Sequence, residues 1–400
     1  MCACTLSGSE QCDGRDNNCD GLVDNGATCS QPGYTCQAGT CACEPSGLCG
    51  GRCVDRQTDS DHCGSCGRRC TAGTVCRAGD CHQAELTATT ASLTGAGLSD
   101  CGATANDACA RSLLVSGGTF HRGTDSAAPA TISDFRLDKY EVTVGRFRRF
   151  VDAWVGGWRP ATGSGKHTHL NSGSGLAATA GGYEPGWSAG WTNYPGAGGA
   201  DAVIPVGTSA TTAVAWTQNL SCSTRYQMWT SAAGESERKP VNCLSWYDLH
   251  AFCIWDGGFL PSEAEWEYAA AGGNEERTYP WGDTAPGANA SLAVYGCYYN
   301  GSGNCTRSVN VAAVGSVGAG DGKWGQSDLA GNVSEWNLDG YKPFSPTCID
   351  CANVSNDPVR LFRGGSFGTV ASTLLATYRA FGRPPASRYD FFGGRCARTP

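Results

Sequence analysis

The sequence predicts an α+β protein with little regular secondary structure, preceded by a small disulfide-rich region. Seventeen of the 25 cysteines precede residue 113, whereas all twelve tryptophans follow it. A segment with few large apolar residues needs cross-links to fold, while a tryptophan-rich segment can bury an ordinary core. After residue 113, short β-type runs alternate with Gly-rich loops and a few helical patterns. We predict four regions: an Asp-rich motif (1–27), Cys-rich modules (28–82), a linker (83–112) and a large domain (113–400).

The first region carries an Asp-rich turn bracketed by Cys12 and Cys19, which we expect to act as staples. Counted from its first aspartate, the turn places candidate oxygen ligands at positions 1, 3, 5, 7 and 9 of an EF-hand-type calcium loop. These residues are Asp16, Asn18, Asp20, Leu22 (through its carbonyl) and Asp24. Position 12 is Ala27, so the bidentate glutamate of a true EF-hand is absent. The motif resembles the metal-binding segments of MopE-like and thrombospondin-type-3-like proteins; an acidic solvated turn is the alternative.

The Cys-rich modules contain a weak repeat, in which the run from Cys29 to Cys41 is echoed by the run from Cys70 to Cys81. Zinc is an alternative for one part, because Cys63 and Cys66 form a CxxC motif close to His62 and Cys70. We favour disulfides, since so many cysteines indicate an oxidising compartment. In the linker, Cys101 and Cys109 are expected to close a small loop.

The amino-acid composition indicates in which compartment the protein is located and which classes of ligand it binds. The cysteines predict a secreted or surface-exposed protein, although residues 1–5 lack the features of a signal peptide. No apolar run is long enough for a membrane helix. A net charge of −8 argues against nucleic-acid binding. The last 42 residues, 359–400, nevertheless hold seven arginines and one acid, so an anionic ligand would prefer that end.

Within the large domain, the stretch 325–336 is a polar loop that runs into a tryptophan. A compact turn there would bring the carboxylates of Asp328 and Glu335, with intervening carbonyls, onto one calcium ion. A Gly-Asn turn before a strand is the alternative. A strand and turn are predicted at 115–123, a strand that ends in a Thr cap at 138–144, and helices at 144–154, 245–255 and 260–269. Ser245 and Ser262 are the expected N-caps, and Glu265 completes a capping box with Ser262.

Eight collinear motifs of the large domain resemble the formylglycine-generating enzyme (sulfatase-modifying factor) family. They are GGTFHRG (117–123), DKYEVTVGRF (138–147), KPVNCLSWYD (239–248), FLPSEAEWEYAAAGG (259–273), YPWGD (279–283), GQSDLAGNVSEW (325–336), RGGSF (363–367) and GGRCAR (393–398). The resemblance implies a C-type-lectin-like fold that is stabilised by calcium.

The resemblance also implies particular site residues. The family's calcium site falls on Asp328, Gly331 (carbonyl), Val333 (carbonyl) and Glu335, and a second site would begin at Asn289 and Ala290. The family disulfide falls on Cys253 and Cys396. Local pairs then remain for the other cysteines of the domain: Cys222 with Cys243, Cys297 with Cys305, and Cys348 with Cys351.

The sequence differs from the family's active members at the two positions where those members bind copper(I) through cysteines. Those positions are Thr369 and Leu374 or Leu375, and neither a hydroxyl nor an alkyl group replaces a soft thiolate. Ser334 stands where active members usually carry tryptophan. Another branch of the family uses a three-histidine iron site, which no segment here supplies. His167 and His169 could bind a metal as alternate residues of a strand, or form a polar part of a Gly-rich insertion.

We therefore expect a calcium-stabilised module that binds a protein, peptide or glycan, anionic ligands included, with no copper. The candidate ligand-binding residues are Ser366, Thr369, Tyr378, Arg379 and Arg383, although the arginines could instead pin the irregular loops. Two alternatives remain open: an oxidase or maturation enzyme with an unrecognised centre, and a structural component of an extracellular assembly.

Overall fold

The computed structural model describes most of residues 10–400. The residues left undescribed are 1–9, 18, 20, 26, 28, 30–33, 38, 44–47, 50–51, 55, 57–58, 60, 70–73, 78–79, 84–88, 91, 125–127, 193–212, 302, 306–307 and 356. Asn18 and Asp20 of the predicted calcium loop, and Cys70 of the zinc alternative, therefore lie outside the described residues. The chain forms two compact units, Met1–Leu86 and Thr87–Pro400.

The first unit consists of short antiparallel hairpins joined by disulfides. Its strands are β1 (Tyr34–Gln37) with β2 (Thr40–Cys43), β3 (Leu48–Cys49) with β4 (Arg52–Cys53), and β5 (Thr74–Arg77) with β6 (Asp80–Gln83). The described bridges are Cys12–Cys36, Cys29–Cys41, Cys43–Cys53 and Cys49–Cys66. Cys63 is disulfide-bonded as well. The zinc alternative is therefore wrong for Cys63 and Cys66, which hold no free thiolate.

The Asp-rich turn folds back on its own backbone. One carboxylate oxygen of Asp24 accepts hydrogen bonds from the backbone N–H groups of Asp13 (3.1 Å) and Gly14 (3.0 Å). The Asp16 carboxylate accepts from Gly21 N–H at 2.9 Å. Leu22 is exposed. Two carboxylates thus shape a tight turn, and calcium binding by this turn stays a prediction.

The second unit is assembled from short elements. Its helices are α1 (Val144–Val155), α2 (Ala189–Thr192), α3 (Ala213–Asn219), α4 (Trp246–Trp255) and α5 (Glu263–Ala270). Its strands are β7 (Ser112–Val115), β8 (Gly118–His121), β9 (Pro129–Ile132), β10 (Phe135–Asp138), β11 (Ala177–Ala178), β12 (Ser334–Gly340), β13 (Cys348–Ile349), β14 (Cys351–Ala352), β15 (Arg360–Arg363), β16 (Phe392–Gly393) and β17 (Ala397–Arg398). Short 3-10 turns lie at Asn171–Gly173, Gly273–Glu275, Ser308–Asn310, Gly318–Gly320 and Ala371–Leu374.

The strands form small sheets, with the orders β17-β10-β7, β15-β12-β16, β13-β9-β8 and β11-β14. The predicted strand at 138–144 is wrong, because β10 ends at Asp138, the last residue that pairs with β7. Beyond that point Val142 N–H donates to the Gly394 carbonyl, outside any ladder. The predicted strand and turn at 115–123 correspond to β8 and the turn that follows it at Gly123. Val115 belongs to β7 instead, and Gly117 N–H, between the two strands, donates to the Asp134 carboxylate at 2.7 Å.

The three predicted helices are confirmed. Ser245 caps α4, and Ser262 caps α5 in a capping box with Glu265. Helix α1 buries Phe147, Phe150 and Trp154 along one face, as its spacing predicts. These rings pack against Trp216 of α3 and Phe252 of α4 in the largest aromatic core of the described residues.

Much of the predicted linker packs on the large unit. Thr90 donates to the Asp256 carboxylate at 3.0 Å, and the Gly97 carbonyl accepts from Thr143, the N-cap of α1, at 2.5 Å. A disulfide joins Cys101 to Cys109. The described residues from Thr89 onward are thus an integral part of the second unit.

Four more disulfides hold this unit: Cys222–Cys243, Cys253–Cys396, Cys297–Cys305 and Cys348–Cys351. The second of these, which the family resemblance implies, joins α4 to the segment before β17 across 143 residues of sequence. No helix in the described part of the chain combines the length and apolar character that crossing a bilayer requires.

Candidate ligand cleft and calcium loop

The loop from Asp328 to Val333, which leads into β12 and which we name the calcium loop after the prediction made for it, is held in a tight, partly left-handed conformation. Asp328, Gly331 and Asn332 all have positive φ (58°, 92° and 56°). The side chain of Glu141 fixes the loop from outside, accepting from Asn332 Nδ2 at 2.6 Å and from Val333 N–H at 3.0 Å. The loop is therefore compact, which both the calcium prediction and the alternative of a Gly-Asn turn before a strand require.

Three carboxylates converge on this loop, and all are buried: Glu141, Asp328 and Glu335. Glu335 is neutralised by Arg395, whose Nε and Nη2 donate to it at 2.8 and 2.6 Å. Trp266 Nε1 also donates to Glu335, at 2.9 Å. Asp328 accepts from Gly315 N–H at 2.6 Å. Of the described cations, Arg395 alone pairs with the three acids, so the cluster carries excess negative charge.

This excess of negative charge, together with burial, raises the pKa values of two of these acids. Burial raises the pKa of Asp328 to about 6, and the nearby carboxylates of Asp321 and Glu335 add to the rise. Burial also raises the pKa of Glu141 well above its ordinary value, with the charges of Asp328 and Glu335 acting in the same direction. A divalent cation would relieve this cost, but the three carboxylates do not form one of the tight side-chain clusters of the described residues, and calcium binding by this loop stays a prediction. Asp328 and the carbonyls of Gly331 and Val333 would hold it beside Glu335.

Other candidate metal positions are less favourable. Asn289 is exposed, and its carboxamide oxygen accepts from Ser291 N–H at 2.9 Å in a local turn that also contains Ala290. Within the described residues, the His, Cys, Asp and Glu side chains that cluster tightly enough for an ion are Cys12, Cys29 and Cys41, and Asp100, Cys101 and Cys109. The cysteines of both groups are disulfide-bonded.

The two histidines of the Gly-rich insertion do not form a strand. His167 is buried between two carboxylates, with Nδ1 3.0 Å from Glu184 and Nε2 3.0 Å from Glu265. Despite burial, which lowers it, the pKa of His167 rises to about 10 because both acids favour the charged ring. His169 packs beside it against Phe259. His167 is thus a buried cation that joins the insertion to α5.

A cavity of about 280 Å³ opens beside the calcium loop, and we call it the ligand cleft. Its apolar wall consists of Phe362, Ala380, Phe381 and Phe391. The polar lining groups are the hydroxyls of Ser334, Thr369, Thr373 and Tyr378 and two arginines, Arg363 and Arg383. Among the described lining residues there is no carboxylate.

The first of the family's two copper positions lies in this cleft. Thr369 lines it, accepting from Ser366 N–H at 2.9 Å and from the Thr373 hydroxyl at 2.7 Å. Leu374 is buried in an apolar cluster with Tyr295, and Leu375 is partly buried. The two positions offer one hydroxyl oxygen and no sulfur. Ser334 lines the cleft too, donating to the Gly365 carbonyl at 2.9 Å. A larger side chain there would occupy part of the cavity.

The structure separates the candidate ligand-binding residues. Thr369, Tyr378 and Arg383 line the cleft, whereas Ser366 and Arg379 do not. Ser366 is buried. Arg379 makes a two-pronged ion pair with Glu263 (2.6 and 2.9 Å) and stacks on the rings of Tyr341 and Phe344. Arg379 therefore pins loops, as the alternative interpretation of the sequence holds.

The arginines of the last 42 residues are largely internal. Five of the seven pair with buried carboxylates: Arg363 with Glu267, Arg379 with Glu263, Arg388 with Asp248, Arg395 with Glu335, and Arg398 with Asp138 and Asp256. Arg360 is buried 4.6 Å from the Trp246 ring centroid. Arg383 is exposed, and its side chain pairs with no residue that the structure describes.

Sequence reasoning missed several residues of these sites. Glu141 lies within a family motif, 187 positions before Asp328, and only its acidic character inside that motif could have indicated a role. Phe362 and Phe391 sit beside the motifs RGGSF and GGRCAR, and carry no signal beyond apolarity. Thr373 lies one turn after Thr369, and a hydroxyl pair at that spacing was a usable signal.

Comparison with known proteins agrees with this architecture. Residues 99–400 match the model of the sulfatase-modifying factor enzyme 1-like domain. The chain belongs to this family. The inactive Cα-formylglycine-generating enzyme 2 of Mus musculus is 31% identical over 182 residues, which are 43% of this chain and 54% of that protein. The formylglycine-generating enzyme of Streptomyces coelicolor is 36% identical over 175 residues, 40% of this chain and 52% of that protein.

The chain thus spans about half the length of these family members. Among solved structures, PvdO of Pseudomonas aeruginosa aligns with 77% of this chain and all of its own, at 18% identity and a TM-score of 0.43. The matched region of the sulfatase-modifying factor domain includes the calcium loop, the ligand cleft and the Cys101–Cys109 hairpin of the predicted linker.

Proposed function

We propose that this chain is a ligand-binding member of the sulfatase-modifying factor family that does not carry out copper-dependent oxidation of cysteine. The observation that carries the proposal is the content of the ligand cleft. An open, mostly apolar cavity lies at the first of the family's two copper positions, which holds Thr369, and the second position holds Leu374, which is buried in an apolar cluster. Copper(I) requires soft sulfur ligands, which the described lining does not supply.

The direct test is an assay with copper and a Cys-x-Pro-x-Arg peptide. We expect no aldehyde in the peptide by mass spectrometry. The double variant Thr369→Cys plus Leu374→Cys is the matched positive control for the copper site, and we expect it to gain copper(I) binding that the parent chain lacks. Formation of formylglycine by the parent chain would contradict the proposal and favour the enzymatic alternative.

We further propose that the loop from Asp328 to Glu335 holds a structural calcium ion. Three buried carboxylates with one arginine leave excess negative charge, and two backbone carbonyls of the turn complete an oxygen-rich set. Elemental analysis of the purified protein should find calcium. Chelation should lower the temperature of unfolding, since an ion that binds only the folded state stabilises it by mass action.

An extracellular or surface location fits the disulfides of both units. Nine disulfides are described in the part of the chain from Cys12 to Cys396. A reducing compartment would keep these cysteines as free thiols. Mass spectrometry after alkylation, with and without reductant, tests this point. A protein isolated from its native host with most thiols free would contradict the proposed location.

A further inference from the structure

We propose that the ligand cleft recognises a carboxylate attached to an aromatic or branched apolar body, with Arg383 as the anchor for the carboxylate. This inference rests on the proposed function, because it names the class of ligand for the same cleft. Both a free aromatic acid and a peptide whose last residue is aromatic carry a carboxylate next to an aromatic ring.

The charge of the cleft supports an anion. Two arginines line it, and no described lining residue is acidic. Arg363 is buried, and its charge is balanced by Glu267, with which it forms an ion pair. The Arg363 guanidinium also donates to the Tyr378 carbonyl. One unit of positive charge therefore remains uncompensated in the described lining, and it belongs to Arg383.

The backbone of Arg383 is fixed by hydrogen bonds, whereas its guanidinium has no partner among the described residues. Its backbone exchanges two hydrogen bonds with Arg360, at 2.7 and 3.0 Å, so the position is fixed against the first residue of β15. Its side chain is exposed and pairs with no described residue. A guanidinium presents parallel N–H donors that match a carboxylate, which makes it suited to a terminal acid group.

The apolar wall defines the rest of the ligand. Phe362 and Phe391 form the inner part and contact Phe392 of the main core, at centroid distances of 4.8 and 4.7 Å. Phe381 stands at the rim with 78% of its surface exposed, an unusual state for a phenylalanine. A volume of about 280 Å³ is near the lower limit of small-molecule sites and suits one ring with a short substituent.

Ser334 provides a steric test of the same cleft. It is 2% exposed in the protein as a whole but lines the cavity, and its hydroxyl already bonds the Gly365 carbonyl. An indole at this position would project into the space between Phe362 and Phe391. Ser334→Trp should therefore block the cleft without touching Arg383.

The experiment titrates the full chain, in calcium-containing buffer, with N-acetylphenylalanine, its amide, and phenethylamine, followed by ligand-observed NMR. We expect the acid to bind about fivefold tighter than the amide, as one exposed ion pair allows, and the amine not to saturate. Arg383→Gln should make acid and amide equal. Arg149→Gln, at an exposed arginine of α1 outside the cleft, should leave the preference intact.

A tripeptide arm separates the two sources. If acetyl-Gly-Gly-Phe with a free carboxylate binds as tightly as N-acetylphenylalanine, the cleft takes chain ends; if only the small acid binds, the cleft takes free acids.

Equal affinity of the parent chain for the acid and the amide would overturn the anionic class of ligand and leave the cleft as a binding site. A preference that survives Arg383→Gln would overturn the anchor. No saturable binding of the acid would overturn the inference, and ligand binding that persists in folded Ser334→Trp would overturn the cleft itself as the site.

Discussion

Arg395 shows at the residue scale how one side chain holds several segments. Its guanidinium pairs with Glu335 of β12 and also donates to the carbonyls of Asp138, Lys139 and Ser327. It is fully buried. The calcium loop, the end of β10 and the C-terminal motif therefore meet at a single cation.

We predict that Arg395→Met destabilises the chain strongly. The change leaves Glu335 as an unpaired buried charge and frees three carbonyls, so the free energy of unfolding should fall by about 3–5 kcal/mol. Urea denaturation measures it. Arg149→Met, at an exposed position of α1, should change the value by less than about 0.5 kcal/mol. A loss of under about 1 kcal/mol for Arg395→Met would show that Glu335 finds another partner.

We predict opposite effects of Asp328→Asn with and without calcium. Without calcium the variant should be more stable than the parent at pH 7.5, because burial raises the pKa of Asp328 to about 6 and its ionisation is costly. With calcium the variant should bind the ion more weakly, since it keeps an oxygen ligand but loses a charge. Calorimetric titration of the chelated protein and thermal unfolding measure the two effects. Equal calcium affinity for the Asp328→Asn variant and the parent chain would place the ion elsewhere.

At the scale of elements, the large unit is joined by contacts between short segments far apart in sequence. Helix α5 is one centre of these contacts: Glu263 binds Arg379, Glu265 binds His167, and Glu267 binds Arg363. The predicted capping box of this acidic helix is confirmed, and its three acids are buried. Each acid holds a different distant segment against the helix, and in the case of Glu267 that segment is the end of strand β15.

The disulfides should contribute different amounts to the free energy of unfolding, according to the lengths of the loops that they close. Replacing Cys253 and Cys396 by alanine opens a 143-residue loop and should cost about 5 kcal/mol, whereas replacing Cys348 and Cys351 opens a three-residue loop and should cost about 2 kcal/mol. Denaturant unfolding of the two double variants measures this order. Equal losses would mean that local packing around the sulfurs, rather than chain entropy, sets the stabilisation.

For the whole molecule, buried titratable groups predict greatest stability on the mildly acidic side of neutrality. Burial raises the pKa of Glu267 to about 7 and that of Asp339 to about 6, so the folded chain takes up protons before the unfolded chain does. His167, with its pKa raised to about 10, adds stability that is lost as the pH rises from about 6.5 to 10. Burial lowers the pKa of His250 to about 3, which opposes folding below about pH 6.5.

We therefore expect the calcium-free chain to gain stability as the pH falls from 9 to about 6, and to lose it on further acidification. Urea midpoints across this range provide the measurement. Glu267→Gln should reduce the gain between pH 8 and 6. A midpoint that is constant from pH 9 to 6 would contradict the protonation of these groups in the folded state.

The sequence by itself determined what depends on local order and on motifs. The α5 capping box, the three long helices, the family, and the loss of the copper cysteines all follow from residues close in sequence or from collinear motifs. Spacing also predicts that Asp328 and Glu335 bind one calcium ion; the structure puts Asp328 in the loop and Glu335 in β12, and their shared ion stays a prediction. These features need no knowledge of which distant segments meet.

Only the tertiary structure decided which charges are free. Seven arginines near the C-terminus look alike in the sequence, yet five meet buried carboxylates contributed by distant segments, which leaves Arg383 as the one that is exposed and unpaired among the described residues. Glu141 joins the calcium loop by the same long-range packing. Pairing of buried charges depends on distances between segments far apart in the chain, and no local pattern in the sequence records those distances.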